Sequence, residues 1–492
     1  MTTAKRAFML AVVLFWTQTV AYAAAPMGFD DARLLLNRTS FGAGVDDIDT
    51  FAKLTRAQAV DRLLVGTSQP PVTPPPSWVN DFESPRRLRG MSDGERKAFQ
   101  REQISKSIEL RDWWMTEMLA TPSPLTEKMT LFWHNHFVSS QQKVKLPVLM
   151  YRQNVLLRRY ALGNFAEMLH AVARDPAMLV YLDGAKSRRE QPNENFAREV
   201  MELFTLGEGH YSERDIKEAA RAFTGWSIDP DSGEFVFRPR WHDDGVKTVL
   251  GHTGNFDGDA VLDILLEQPQ TAEFIVAKMW REFVSPDPDP AEVKRIARLF
   301  RDSHYDIKIA LQALLTSGAF YAPQNRAALI KSPVDLIVGT LREFRFGTAD
   351  ALPFVVASRQ LGQDLFAPPN VKGWPGGETW INSATLLARK QLLARLFRGQ
   401  EMREPMMRVA DRTGGDAAKD AVKPGAMIRE QLMRAMASIH FDAAQWLAPF
   451  QPGDPRLIKV VLAADPVNLP PSGAYGADLL RQLVLDPVYQ LK

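Results

Sequence analysis

Residues 192–226, PNENFAREVMELFTLGEGHYSERDIKEAARAFTGW, constrain the fold more tightly than any other stretch. Phe196, Val200, Leu203 and Phe204 fall at i, i+4, i+7 and i+8, a single apolar stripe at the helical period. That spacing predicts a helix over 194–206. Gly207 follows where a left-handed residue ends a helix without a Cβ penalty. Ser212 then precedes Asp215 by three positions, the pattern of a capping box. The second helix carries Ile216, Ala219, Ala220 and Phe223 inward and stops near Gly225. A helical hairpin whose inner face includes small alanines requires a closely packed helical neighbourhood.

The opposite face of the first helix holds Glu194, Asn195, Arg198, Glu199 and Glu202. Glu199 and Glu202 are three apart, so both carboxylates point the same way. Two readings fit. One is a solvated face, with Glu194–Arg198 and Arg198–Glu202 as i,i+4 pairs worth about 0.2–0.5 kcal/mol each. The other is a polar pocket lined by Asn195, Arg198, Glu199 and Glu202, completed by Lys372 and Trp374.

The same helical spacing recurs along most of the chain, so the expected fold is mainly α: a large multi-helix domain over residues 24–400 with a small β-hairpin insertion near 227–259. There, EFVFR (234–238) and KTVL (247–250) read as strands joined by an eight-residue loop. Residues 401–427 are low in aromatics and mixed in charge, a flexible connector. Residues 428–492 form a last helical segment expected to pack on the main domain. The N-terminus reads as a signal peptide, residues 1–23. It has Lys5 and Arg6, an apolar run over 7–20 too short to span a bilayer, and Ala21-Tyr22-Ala23 as a cleavage site. Removing Lys5 and Arg6 brings Lys+Arg from 60 to 58, equal to Asp+Glu at 58. A formally neutral chain gives no reason to expect a nucleic acid or an anionic membrane as partner. No later segment reads as transmembrane. The chain has 0 cysteines, which excludes disulfides, thiolate zinc sites and cysteine nucleophiles. A periplasmic or secreted location after cleavage near Ala23 fits.

Two segments carry candidate chemistry. His134 and His136 flank Asn135. On a continuous helix they point about 200° apart and cannot share an ion, whereas an extended backbone would project both to one side. Imidazole pairs suit zinc, copper, nickel or iron. A hydrogen-bonded structural role would leave the same pattern. The second segment, Trp241-His242-Asp243-Asp244-Gly245, offers one imidazole and two carboxylates on a loop. Its plainer reading is a turn capped by an aspartate. No GxSxG, P-loop, HExxH or dinucleotide fingerprint is present.

The blocks WHNHF, ARDPAMLVYLD, PNENFAREVMELFTLGEG, KEAARAFTGW, HDDGVKTVLGHTGNFDGD and LGQDLFAPPNVKGWPGGETWINSATLLAR occur in this order. Together they resemble the bacterial domain-of-unknown-function 1800 family, over about residues 34–396. The resemblance implies export and, as a partner, an exported protein of an alkaline-phosphatase-like family. It implies no activity, cofactor or catalytic set.

The leading functional expectation is a metal-assisted hydrolase or related enzyme acting on an envelope or extracellular substrate. In it His134, His242, Asp243 and Glu199 do the chemistry, while His134, His136 and Asp244 hold a divalent metal ion that activates water. The alternative is a non-enzymatic envelope binding or assembly factor, in which the same groups form buried hydrogen-bond networks and Trp374 and its neighbours bind a partner. A carbohydrate-binding role, resting on the tryptophans, is the third reading.

Overall fold

A computed structural model of the chain describes residues 25–65, 67, 70–398, 433–471 and 473–492. The expected signal peptide and the 401–427 connector lie outside the described residues. The fold is mainly α, with two small two-stranded sheets set between helices. Proline opens many of the helices. Pro124, Pro147, Pro176, Pro290 and Pro333 each occupy a first helical position. There the missing N–H has no intrahelical partner to lose and the fixed φ already suits the helix.

The Pro124–His136 helix runs through the middle of the core, and its burial extends around most of its circumference. Met129 and Trp133 are buried on one side, Lys128 on another, and Glu127 and His134 on a third. Polar groups in such a place need partners. Glu127 accepts from the Trp114 indole at 3.0 Å and from the Arg158 guanidinium. Trp114 lies on the long Asp93–Ala120 helix, which starts with a capping box formed by Ser92 and Glu95. Arg158 comes from the neighbouring Pro147–Tyr160 helix.

The stretch over 192–226 folds as a helical hairpin with one departure. An α-helix covers Glu194–Glu199, but Val200–Thr205 is a π-helix. Leu206 N donates to Met201 O at 2.8 Å, five residues back. Phe196, Val200, Phe204, Ile216, Ala219, Ala220 and Phe223 are all buried. Gly207 has φ +80°, and the Ser212–Asp215 capping box opens the Glu213–Ala222 helix.

The β region corrects the expected strand pairing. The segments over 234–238 and 247–250 do not pair with each other. Instead β1 (Trp226–Ile228) pairs with β2 (Phe235–Phe237), and β3 (Lys247–Val249) pairs with β4 (His252–Gly254), both antiparallel. Local turns decide this. Leu250 at φ 49° and Gly251 at φ 84° provide the two successive left-handed residues that a tight hairpin needs. Asp229 Oδ1 accepts from the backbone of Asp231 and Ser232, folding the other turn.

Downstream, the Pro269–Phe283, Pro290–Asp302 and Ile307–Leu315 helices pack in succession. The Gly476–Leu485 helix packs on the Ser383–Phe397 helix. After it the chain re-enters the core. Leu491 forms an antiparallel bridge with Ile330, and Lys492 N donates to Leu329 O at 2.7 Å. This return carries the Lys492 side chain inside, where it is 6% exposed. Among the described residues no helix is long and apolar enough to cross a membrane.

Candidate functional site

The three histidines singled out in the sequence occupy three separate environments. His134 is 1% exposed, and its ring lies 5.5 Å from those of Trp114 and Phe366 and 5.7 Å from that of Trp374. Its Nε2 has no hydrogen-bond partner, and burial pushes its pKa down to about 3. His136, on the same helix, faces a different set of rings, among them Phe137 at 4.4 Å and Phe204 at 6.1 Å. His242 packs on Phe237 at 5.4 Å, with Nδ1 2.9 Å from Thr224 O. The helix is continuous through His136, so the extended geometry needed for His134 and His136 to share an ion does not form.

His136 is held at both nitrogens. The Lys278 ammonium lies 2.9 Å from Nδ1, and Nε2 lies 3.2 Å from Phe204 O. An ammonium has only protons to offer, so Nδ1 accepts and Nε2–H donates. That fixes one neutral tautomer. Burial, reinforced by the Lys278 charge, holds the ring well below the usual histidine range. Lys278 also donates to Leu203 O at 3.3 Å. Both acceptors belong to the π-helix, whose widened turn redirects its carbonyls. The pair therefore satisfies last-turn carbonyls that a helix end leaves without an intrahelical partner.

The loop over 241–245 is closed on itself. Asp243 receives a bidentate bond from Arg221, at 2.8 and 3.0 Å, which holds its carboxyl below the usual range. Its backbone N–H donates to Thr224 Oγ1 at 2.8 Å, and Lys247 Nζ donates to the carbonyls of Asp243 and Gly245. Asp244 is exposed. Glu199, Glu202, Arg198 and Lys372 do share a patch, but a surface one. Arg198 pairs with Glu213 at 2.8 Å, Glu202 accepts from the Tyr211 hydroxyl, and Lys372 pairs with Glu208 at 3.0 Å. Partial burial, then the Glu202 charge, raises the pKa of Glu199. Asn195 is apart from these, bonding to Leu182 O at 3.3 Å. Among the described residues no group of three or more histidines, aspartates and glutamates is placed to hold a metal ion.

What the motifs do build is a cavity of about 340 Å³ between the Pro124–His136 helix and the loop over 373–380. The residue that places the loop is Asn135, between the two histidines. Its Oδ1 accepts from Trp374 N at 2.7 Å and its Nδ2 donates to Trp374 O at 3.3 Å. Gly373 has φ +84°, and a Cβ there would collide with Asn135 Oδ1. The glycine is required both for its backbone conformation and for this close approach. Trp374 and Trp380 form the aromatic wall, 4% and 7% exposed, and Gly376, Gly377 and Glu378 form the lip.

The cavity floor is an ion quartet that sequence reading missed. Lys128 Nζ donates to Asp335 Oδ1 at 2.6 Å, and Lys492 Nζ donates to Asp335 Oδ2 at 2.6 Å and to Glu282 Oε1 at 3.2 Å. Burial opposes the Asp335 charge, yet Lys128 and Lys492 outweigh it and hold the carboxyl far below its usual range. Lys492 is raised despite its burial, chiefly by Asp335 and then Glu282. Asp335 also closes the capping box with Ser332 that opens the Pro333–Glu343 helix. The one hint in the sequence was Lys128, a cation inside a helix otherwise rich in core residues.

The family described as "Protein of unknown function (DUF1800)" matches residues 34–463, and the chain belongs to it. No curated protein and no solved structure matches. The matched span contains every residue lining the cavity except Leu491 and Lys492.

Proposed function

We propose that this protein is a non-enzymatic binding factor of the cell envelope, a helical scaffold whose ligand site is the cavity under the 373–380 loop. One observation supports the reading above the hydrolase: two of the motif blocks, those holding Asn135 and Trp374, meet at this cavity, while the candidate histidines His134, His136 and His242 are each held elsewhere. A catalytic zinc site keeps about three convergent protein ligands and an open position. Here His136 has both nitrogens engaged, His134 is enclosed by aromatic rings, and Asp243 is committed to Arg221. The cavity has the traits of a binding site, being concave, aromatic-walled and furnished with a few fixed polar groups. Export follows from the leader read over residues 1–23.

The test has two arms. Protein purified from cells without chelator is analysed for metal, and its melting is compared with and without EDTA. The expected result is sub-stoichiometric metal and unchanged melting. Stoichiometric metal lost in both His134→Ala and His242→Ala would overturn the reading in favour of the hydrolase. Mass spectrometry of the protein from fractionated cells should give a mature N-terminus at Ala24, and an intact Met1 in the cytosol would remove the envelope assignment.

A further inference from the structure

We infer that the surface around Trp241 docks on an anionic lipid bilayer, its arginines on the headgroups and its apolar loop residues at the acyl boundary. None of these residues lines the cavity, so the surface is independent of the ligand site. The choice of occupant rests on the envelope location proposed above.

Two segments meet here. Arg189 N donates to Trp241 O at 2.8 Å, which seats KSRREQ (186–191) against FRPRW (237–241). Together they carry Lys186, Arg188, Arg189, Arg238 and Arg240 against a single carboxylate, Glu190. The Arg188 guanidinium stands 4.0 Å from the centre of the Trp241 ring, and that of Arg238 5.1 Å. The negative ring face attracts each of them, and in doing so gathers two like charges. Carboxylates do not offset them. Glu190 is bound by Arg189 at 2.9 Å, and Asp243 by Arg221. Asp229, within reach of the Arg238 charge, is occupied in folding its own turn. Among the described residues Lys186, Arg188, Arg238 and Arg240 have no ion pair, and on the loop only Asp244 is an exposed carboxylate without one. The whole chain is near neutral, so this excess is local.

The same loop exposes apolar groups. Phe237 is 41% exposed at its start and Val246 is 66% exposed at its end, with Trp241 half-buried between them. An acidic peptide would satisfy the arginines and leave Phe237 and Val246 in water. An anionic bilayer offers both complements: a negative surface for the cations, and an apolar boundary at which tryptophan and phenylalanine settle. With so few cations and so little apolar surface, the attachment is weak, reversible and salt-sensitive.

The experiment uses the mature chain from Ala24, because the leader is itself apolar. The protein is centrifuged with vesicles of phosphatidylcholine alone, and with vesicles of phosphatidylcholine mixed equally with phosphatidylglycerol, over a series of salt concentrations. The expected result is binding to the mixed vesicles only, weakening steadily as salt rises. Arg188→Gln and Arg240→Gln, both at exposed positions, should each weaken it about fivefold at low salt, the effect of one charge beside an anionic surface. Phe237→Ser should weaken it without changing its slope on salt. Arg298→Gln, an exposed cation on the Pro290–Asp302 helix, should leave it unchanged. Melting of each variant is measured beside wild type, and Arg240→Gln removes a side chain that bonds to no other described residue. Equal binding to both kinds of vesicle, no binding to either, or wild-type affinity in both arginine variants overturns the assignment. An Arg188-dependent complex with soluble polyglutamate, with no binding to mixed vesicles, overturns the bilayer and gives the patch to an acidic protein. The vesicle assay is independent of location, so its failure strikes the patch alone, whereas an intact Met1 in the cytosol strikes the envelope reading.

Discussion

Asp335→Asn is the sharpest test of the cavity floor. The substitution keeps the size of the side chain and removes its charge. Lys128 and Lys492, with side chains 3% and 6% exposed, then share a neutral amide whose NH₂ group repels whichever ammonium it faces. Removing one partner from a buried ion pair costs about 3–5 kcal/mol, because the remaining charge stays out of water uncompensated. At ~2.1 cal/mol/K per residue, a chain of 492 residues has an unfolding entropy of about 1 kcal/mol/K, so melting should fall by only about 3–5 °C. Urea unfolding followed by circular dichroism is therefore the better assay. The sign of the pH dependence follows from the depressed Asp335 pKa. Its stabilisation is present above the unfolded carboxyl value of about 3.9 and is lost as pH falls toward the lower folded value. The gap between wild type and variant should thus hold from pH 5 to 8 and narrow below about pH 4. Adding Lys128→Met removes the stranded ammonium while Lys492 keeps Glu282, so the double variant should recover about 1 kcal/mol or more relative to additivity. A single variant within about 0.5 kcal/mol of wild type, or strict additivity in the double, would refute the claim that these charges form one closed unit.

The helical hairpin over 192–226 was legible because its signals are local: a 3.6-residue apolar period, a capping box and a glycine at each end. The π-helix inside it was not. A π-turn shifts the helical register by one residue, and it is held by Lys278 and His136 from two other helices, which no local pattern reveals. Two of the four strands were visible in composition, but Trp226–Ile228 and His252–Gly254 were not, and the pairing of the second hairpin depended on Leu250 taking a left-handed conformation, which its side chain does not advertise. The site followed the same division. Sequence reading found the segments HNH and GWPGG, whose residue types are conspicuous. It gave weight to the histidines, since imidazoles are versatile, and passed over Asn135, whose amide does the work of joining the two. The ion quartet was invisible because its members stand at 128, 282, 335 and 492 and meet only after the chain end has returned to pair with Ile330. An isolated lysine or aspartate in a sequence carries no mark of its partner.

Asn135→Ala should cost about 1–3 kcal/mol in urea unfolding, since it strands Trp374 N, and it should speed hydrogen exchange over 373–378 more than elsewhere. Asn135→Asp, which keeps the acceptor for Trp374 N, should lose less; equal losses would show that the amide does not fasten the loop. His136→Phe leaves Phe204 O without its donor and Lys278 with Leu203 O alone, and should destabilise by about 2 kcal/mol or more. Lys278→Met in the same chain should return part of that loss, and a further loss instead would break the proposed tautomer chain. Asp112 gives a pH test of opposite sign to Asp335. Burial, then the neighbouring Asp350 carboxyl, raises its pKa to about 7, against about 3.9 when unfolded. Between those values the folded chain holds a proton that the unfolded chain has released, so this group makes stability fall as pH rises from about 4 to about 7. Glu127 and Asp175, each raised to about 7 chiefly by burial, slope the same way, so the informative quantity is the difference from wild type. Asp112→Asn should match wild type near pH 4 and become progressively more stable than it toward pH 8, because the amide keeps the neutral form at every pH. Parallel stability profiles for the two proteins across that window would mean that folding does not raise the Asp112 pKa, and would refute the reasoning.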